Sequence, residues 1–148
     1  MNIIRCRTNH MINPLGFAME QAVVSWVSDS ELSKKQVRAQ IKVAKDKEMK
    51  ELLFESDASK NPDSTAFEIP VELEARTAYY WTVEVWGDAG DSALSDVNYF
   101  ETGKRNEELL GNWITTPWED QSISPYIRKN LTFSQNASQS YSPFSLPK

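Results

Sequence analysis

The sequence holds one cysteine, Cys6, and one histidine, His10. A single cysteine forms no intrachain disulfide, so stability has to come from a packed core. Cys6 itself reads as a small buried hydrophobe. Its one conceivable base, His10, lies four residues away on a stretch without regular pattern, so a nucleophilic pair is not expected. Long apolar runs are missing as well. Nothing approaches the ~18 residues of a membrane span, and Met1–His10 lacks the apolar centre of a signal peptide. The expectation is no membrane partner and a cytoplasmic rather than an exported chain. Basic charge is also short, with 16 Lys and Arg against 21 Asp and Glu for a net charge of −5. Lys34, Lys35, Arg38 and Lys42 share one region, but Lys45, Lys47 and Lys50 are interleaved with Asp46, Glu48 and Glu51. A nucleic-acid binder needs a basic face to displace counterions, so no nucleic-acid partner is expected. The sequence has no phosphate loop, metal-ligand cluster or nucleophile–base pair, which leaves no expected cofactor, metal or catalytic residue. No internal repeat is visible.

What the sequence does have is period-two alternation, the mark of strands with one buried face. Gln36–Ala44 places Val37, Ala39, Ile41 and Val43 on one side and Arg38, Gln40 and Lys42 on the other. Val23–Ser28 carries Val24 and Trp26 on one face, and Thr65–Ile69 is a shorter strand ended by Pro70. Arg76–Trp86 is the strongest strand, with Tyr79, Trp81, Val83 and Val85 on one face and Tyr80, Thr82, Glu84 and Trp86 on the other. Asp88–Asp91 has the composition of a hairpin loop, and a last strand near Val97–Glu101 is expected to close that hairpin. Asp46–Leu53 has good helix formers, with Met49, Leu52 and Leu53 as apolar positions, and predicts a short helical connector of about two turns. Six or seven short strands in roughly a hundred residues predict an all-β, immunoglobulin-like or fibronectin type III-like antiparallel β-sandwich with that one helical connector.

Three segments follow from the texture. Residues 1–104 form the sandwich. Residues 105–133 are a linker and the start of a following β-domain, with Tyr126–Phe133 as one more strand. Residues 134–148, dominated by Ser, Gln, Asn and Pro, are a disordered tail. The stub Asn112–Phe133 has apolar residues and no domain to join, so self-association by pairing with an edge strand of another copy is one expectation.

Leu73-Glu74-Ala75-Arg76-Thr77-Ala78-Tyr79 sets Leu, Thr and Tyr at turn-like spacing. The pattern resembles the lead-in to strand F of fibronectin type III domains, with Ala75 where that family usually has proline. The resemblance implies that the Tyr79 hydroxyl bonds back to nearby backbone at the corner. Trp26, Tyr79 and Trp81 are the expected structural core.

The order of motifs is more specific. Arg5-Cys6, Asn13-Pro14-Leu15-Gly16, Ser25-Trp26, Tyr79-Tyr80-Trp81-Thr82-Val83, Phe100-Glu101-Thr102-Gly103, Trp113-Ile114 and Arg128-Lys129 follow one another. This succession, over about Arg5–Phe133, resembles the N-terminal region of bacterial α-L-rhamnosidases, although Val23-Val24 stands where that family often has Arg-Leu. The resemblance implies a non-catalytic N-terminal module of a glycoside hydrolase in carbohydrate metabolism, with the catalytic barrel hundreds of residues further on and the remaining domains of the parent as partners.

The candidate contact residues are Tyr80 and Trp86, on the second face of the strongest strand, together with Trp113 and Trp118. An aromatic patch pointing away from the core marks a contact surface. Packing against the next domain is one reading. A platform for rhamnose-containing glycans, as in a carbohydrate-binding module, is the second, and a generic spacer or adhesion domain the third. The acidic residues Glu48, Glu51, Glu55, Asp57, Asp88 and Asp91 read as solvated charge rather than as the carboxylate pair of an inverting hydrolase.

Overall fold

The computed structural model describes residues 1–108, 110–112, 114 and 126–130. Chain contacts divide it into Met1–Glu108 and Leu109–Lys148. The first unit is a sandwich of eight strands: β1 (Asn2–Thr8), β2 (Val23–Asp29), β3 (Gln36–Ala44), β4 (Leu52–Glu55), β5 (Phe67–Glu68), β6 (Ala78–Gly87), β7 (Ser92–Leu94) and β8 (Asn98–Glu101). One antiparallel sheet runs β1-β2-β5. The other runs β4-β3-β6-β7, with β8 also on β6. The alternation places Val24 and Trp26 of β2 in the space between the sheets, with Ala39, Ile41 and Val43 of β3 and Tyr79, Trp81, Val83 and Val85 of β6. Each of these is 3% exposed or less.

Two buried indoles bring polar N–H groups into this core, and both are satisfied, as burial requires. Trp81 Nε1 donates to Thr8 Oγ1 at 3.1 Å, joining the two sheets. Trp26 Nε1 donates to Gln36 Oε1 at 2.9 Å, while the Gln36 amide nitrogen holds the 61–62 loop through Asn61 Oδ1 and Pro62 O.

Four sequence expectations are corrected. Asp46–Leu53 is not a helix. Its opening is a turn in which the Asp46 carboxylate accepts the amides of Lys50 and Glu51 at 3.0 and 2.6 Å, with Met49 left-handed at φ 57°. A two-turn helix is marginal alone, and here an Asp side chain takes the amides such a helix would use while Leu52–Glu55 gains a ladder on β3. The hairpin after β6 is closed by β7, Trp86 facing Ser92. The expected closing strand is instead β8, which pairs the opposite end of β6, Tyr79 facing Phe100. Val37 leaves the core face because register slips between Gln36 and Arg38, and it is 41% exposed. The stretch from Cys6 to His10, read as having no regular pattern, begins inside strand β1, which runs to Thr8. A bulge between Ile3 and Arg5 breaks the alternation that would have marked it.

Candidate functional site

The outer face of the larger sheet carries the predicted aromatics. Tyr80 and Trp86 both sit on it, half-buried. Each meets a cross-strand neighbour from another element. Tyr80 faces Tyr99 of β8, with ring centroids 6.3 Å apart and tilted 41°. Trp86 faces Arg38 of β3, whose guanidinium carbon stands 4.6 Å from the indole centroid. That is a cation–π contact, and it covers one face of the ring. Leu94, opposite Glu84 on β7, adds an exposed apolar side chain at 64%. Tyr99 and Leu94 were not singled out from the sequence, and Arg38 was placed on the outward side of its strand without its aromatic partner, because cross-strand neighbours depend on register. Trp113 and Trp118 lie outside the described residues.

The corner below this face forms as the resemblance to the lead-in of a fibronectin type III strand F implied. The Tyr79 hydroxyl accepts the Glu74 amide at 2.8 Å, and its ring stacks on Phe100 at 5.2 Å. Thr102 closes the same corner. Its hydroxyl donates to Glu74 O at 2.5 Å and accepts the Thr77 amide at 3.0 Å. The chain after β8 is held against the corner by Arg105 bonding Leu73 O and by an Arg76–Glu107 ion pair of 2.8 Å.

Two motifs far apart in sequence meet at the β8 edge. The Asn13 side chain accepts the Tyr99 amide at 3.2 Å, Glu101 donates to Pro14 O at 2.9 Å, and Gly16 donates back to Glu101 O at 2.9 Å. Phe17 then bridges Thr102 in parallel fashion. The Asn-Pro-Leu-Gly motif is thus an added edge segment for the Phe-Glu-Thr-Gly motif. The β1–β2 linker thereby crosses from one sheet to the other.

Burial pushes the Cys6 thiol above its ordinary range, partly offset by hydrogen bonds with Asn98 and Ser95. His10 lies instead in the turn after β1, beside Arg5 and Arg7. No group of three or more His, Cys, Asp or Glu suited to a metal ion occurs among the described residues, nor any helix long and apolar enough to cross a membrane. Asp91 departs from the expectation of a solvated charge. It accepts Ser30 Oγ at 2.6 Å, bonds Ser33 Oγ, and pairs with the Met1 ammonium at 3.2 Å. The two serine hydroxyls, with the ammonium, hold its carboxyl down at about 2.

Two facing antiparallel sheets, a corner tyrosine and an N-terminal segment that changes sheets define an immunoglobulin-like β-sandwich. The family model described as "Rha78A-like, N-terminal immunoglobulin domain" matches residues 3–106, and the chain belongs to that family. Among solved structures it is similar to the α-L-rhamnosidase of Streptomyces avermitilis complexed with L-rhamnose, with a TM-score of 0.63 and 23% identity. That match covers 69% of this chain and 10% of the other. It is also similar to the α-L-rhamnosidase of Dictyoglomus thermophilum, with a TM-score of 0.63 and 25% identity over 72% of this chain and 13% of that one. The chain therefore spans only a small part of either enzyme's length. No curated protein sequence matches it.

Proposed function

We propose that this chain is the non-catalytic N-terminal module of an α-L-rhamnosidase-like glycoside hydrolase, and that the Tyr80–Trp86 face packs against another domain of that enzyme. Family membership over residues 3–106 carries the first half of this reading. The small share of the two rhamnosidases that it matches, 10% and 13%, supports a role outside the catalytic part. The aromatic outer face supports the second half. Tyr80, Tyr99, Trp86 and Leu94 are more apolar than a solvated sheet face requires, and such patches mark interaction surfaces. Arg105 and Glu107 tie the segment after β8 to the corner of the sandwich.

A sugar platform on the same face is less well supported. A stacking platform offers a free aromatic face, and Arg38 already lies over Trp86. Two assays on the 148-residue chain test the proposal. With an aryl α-L-rhamnoside it should show no turnover, and with millimolar L-rhamnose no change in tryptophan emission. Turnover would overturn the non-catalytic assignment, and saturable quenching lost in Trp86→Ala would replace domain packing with sugar binding.

A further inference from the structure

The opposite side of the molecule carries a second feature. On the outer face of the smaller sheet lies a groove of about 280 Å3 lined by Arg5, Arg7, His10, Ser25, Ser64 and Thr65, with Val27 and the edge of Trp26. Its construction follows from the register. Arg7 faces Ser25 and Arg5 faces Val27 across the β1–β2 ladder, so both arginines project from the surface turned away from the core. The other wall is the loop before β5, brought alongside β2 where the Trp26 amide donates to Ser64 O at 2.9 Å. His10 closes one end from a tight turn, with Asn9 and His10 left-handed at φ 48° and 67°. Thr8 and Met11 exchange amide–carbonyl bonds of 2.9 Å across that turn. The Asn9 side chain fastens it to β2, accepting from Val23 N at 2.8 Å and donating to Gln21 O at 3.1 Å.

The polar groups in this groove are under-used. Arg7 Nε is buried and has no hydrogen-bond partner among the described residues. Neither Arg5 nor Arg7 has a carboxylate within ion-pair distance among the described residues, where the four ion pairs involve other groups. The hydroxyls of Ser25 and Ser64 make no hydrogen bond among those residues, whereas Thr65 Oγ1 donates to Asp63 at 2.7 Å. The nearby acids are otherwise engaged. Asp63 Oδ1 also accepts the Thr65 amide at 2.8 Å, and Glu68, on the same sheet face opposite Val23, accepts from Gln21 Nε2 at 3.1 Å. In a chain of net charge −5, two arginines left without acids form a local basic site.

A guanidinium fork matches a carboxylate, to which it bonds in bidentate fashion. The remaining groups, two idle hydroxyls and an imidazole, match ligand hydroxyls rather than further charge. The groove is roomier than a lone oxyanion needs and close to the ~300 Å3 at which small-molecule sites begin. We propose that this groove binds a sugar carboxylate, its carboxylate taken by Arg7 and Arg5 and its ring hydroxyls by Ser25, Ser64 and His10. The site is separate from the Tyr80–Trp86 face and does not depend on the parent enzyme's identity.

The test is a titration of the 15N-labelled 148-residue chain with glucuronate, glucose and inorganic phosphate, followed amide by amide. Glucuronate should shift Arg7, Ser25 and Ser64 saturably at millimolar concentration, with glucose and phosphate far weaker. Arg7→Lys keeps the charge but loses the fork, and should weaken glucuronate about tenfold or more, the loss of one charge-assisted bond. Ser64→Ala, on a loop, should weaken it severalfold with the spectrum otherwise unchanged, which keeps the test open if Arg7→Lys disturbs β1. No shift at millimolar glucuronate overturns the proposal. Phosphate or glucose binding as tightly as glucuronate overturns it equally, and so would shifts confined to the Tyr80–Trp86 face.

Discussion

The carbonyl oxygen of Gly16 lies 2.4 Å from where a β-carbon on residue 103 would stand. The obstacle is backbone, and it is fixed by the bond from the Gly103 amide to Phe17 O at 2.7 Å. Any side chain at 103 has to push the Asn13–Phe17 segment off β8. Gly103→Ala is therefore expected to destabilise the module by about 1–3 kcal/mol, the usual cost of overpacking. Denaturant unfolding checks it, and faster hydrogen exchange at the amides of Gly16 and Glu101 should accompany the loss.

Tyr79→Phe removes one oxygen and almost no volume. The Glu74 amide then loses its acceptor at the corner, while the ring can keep its stack on Phe100. The expected cost is about 1–2 kcal/mol, since a part-buried donor is left unpaired. The urea midpoint should fall with the slope unchanged, because the surface exposed on unfolding stays the same.

Asp91 sets an acid limit. Its carboxyl ionises at about 2 in the folded chain, against 3.8 ordinarily, chiefly because Ser30 and Ser33 donate to it. A folded-state value below the unfolded one means the contribution is complete above the unfolded value and is lost as pH falls toward the folded one. Stability should thus decline between pH 3.8 and about 2. Asp91→Asn should be less stable at neutral pH and show a shallower decline in that window, measured by thermal unfolding across the pH series. An unchanged acid limb would show that this cluster carries no linkage.

The sandwich was legible because its central strands obey period two. β3 runs Gln36–Ala44 as predicted, and β6 begins and ends within two residues of its predicted bounds. Trp26, Tyr79 and Trp81 are core for the same reason. What the sequence hid came from register and from tertiary bonds. β1 and the start of β3 each contain a bulge, so Ile4 and Val37 fall out of step. The Asp46 turn looked helical because propensity does not report that an Asp side chain will collect amides. Tyr80 and Trp86 could be placed on the outer face from alternation alone, but Arg38 over the indole required the β3–β6 pairing. The groove was invisible for a similar reason, since Arg7, Ser25 and Ser64 meet only once β1, β2 and the loop before β5 are side by side.

The most direct measurement of the account is association of the 148-residue chain with the remaining domains of the proposed parent hydrolase, produced without this module, read by calorimetry. The account predicts a complex, and predicts that Trp86→Ala and Tyr80→Ala each weaken it by about 1–3 kcal/mol, as anchors of an interface do, while Arg7→Lys leaves it unchanged. No association, or association indifferent to both aromatic substitutions, would contradict it.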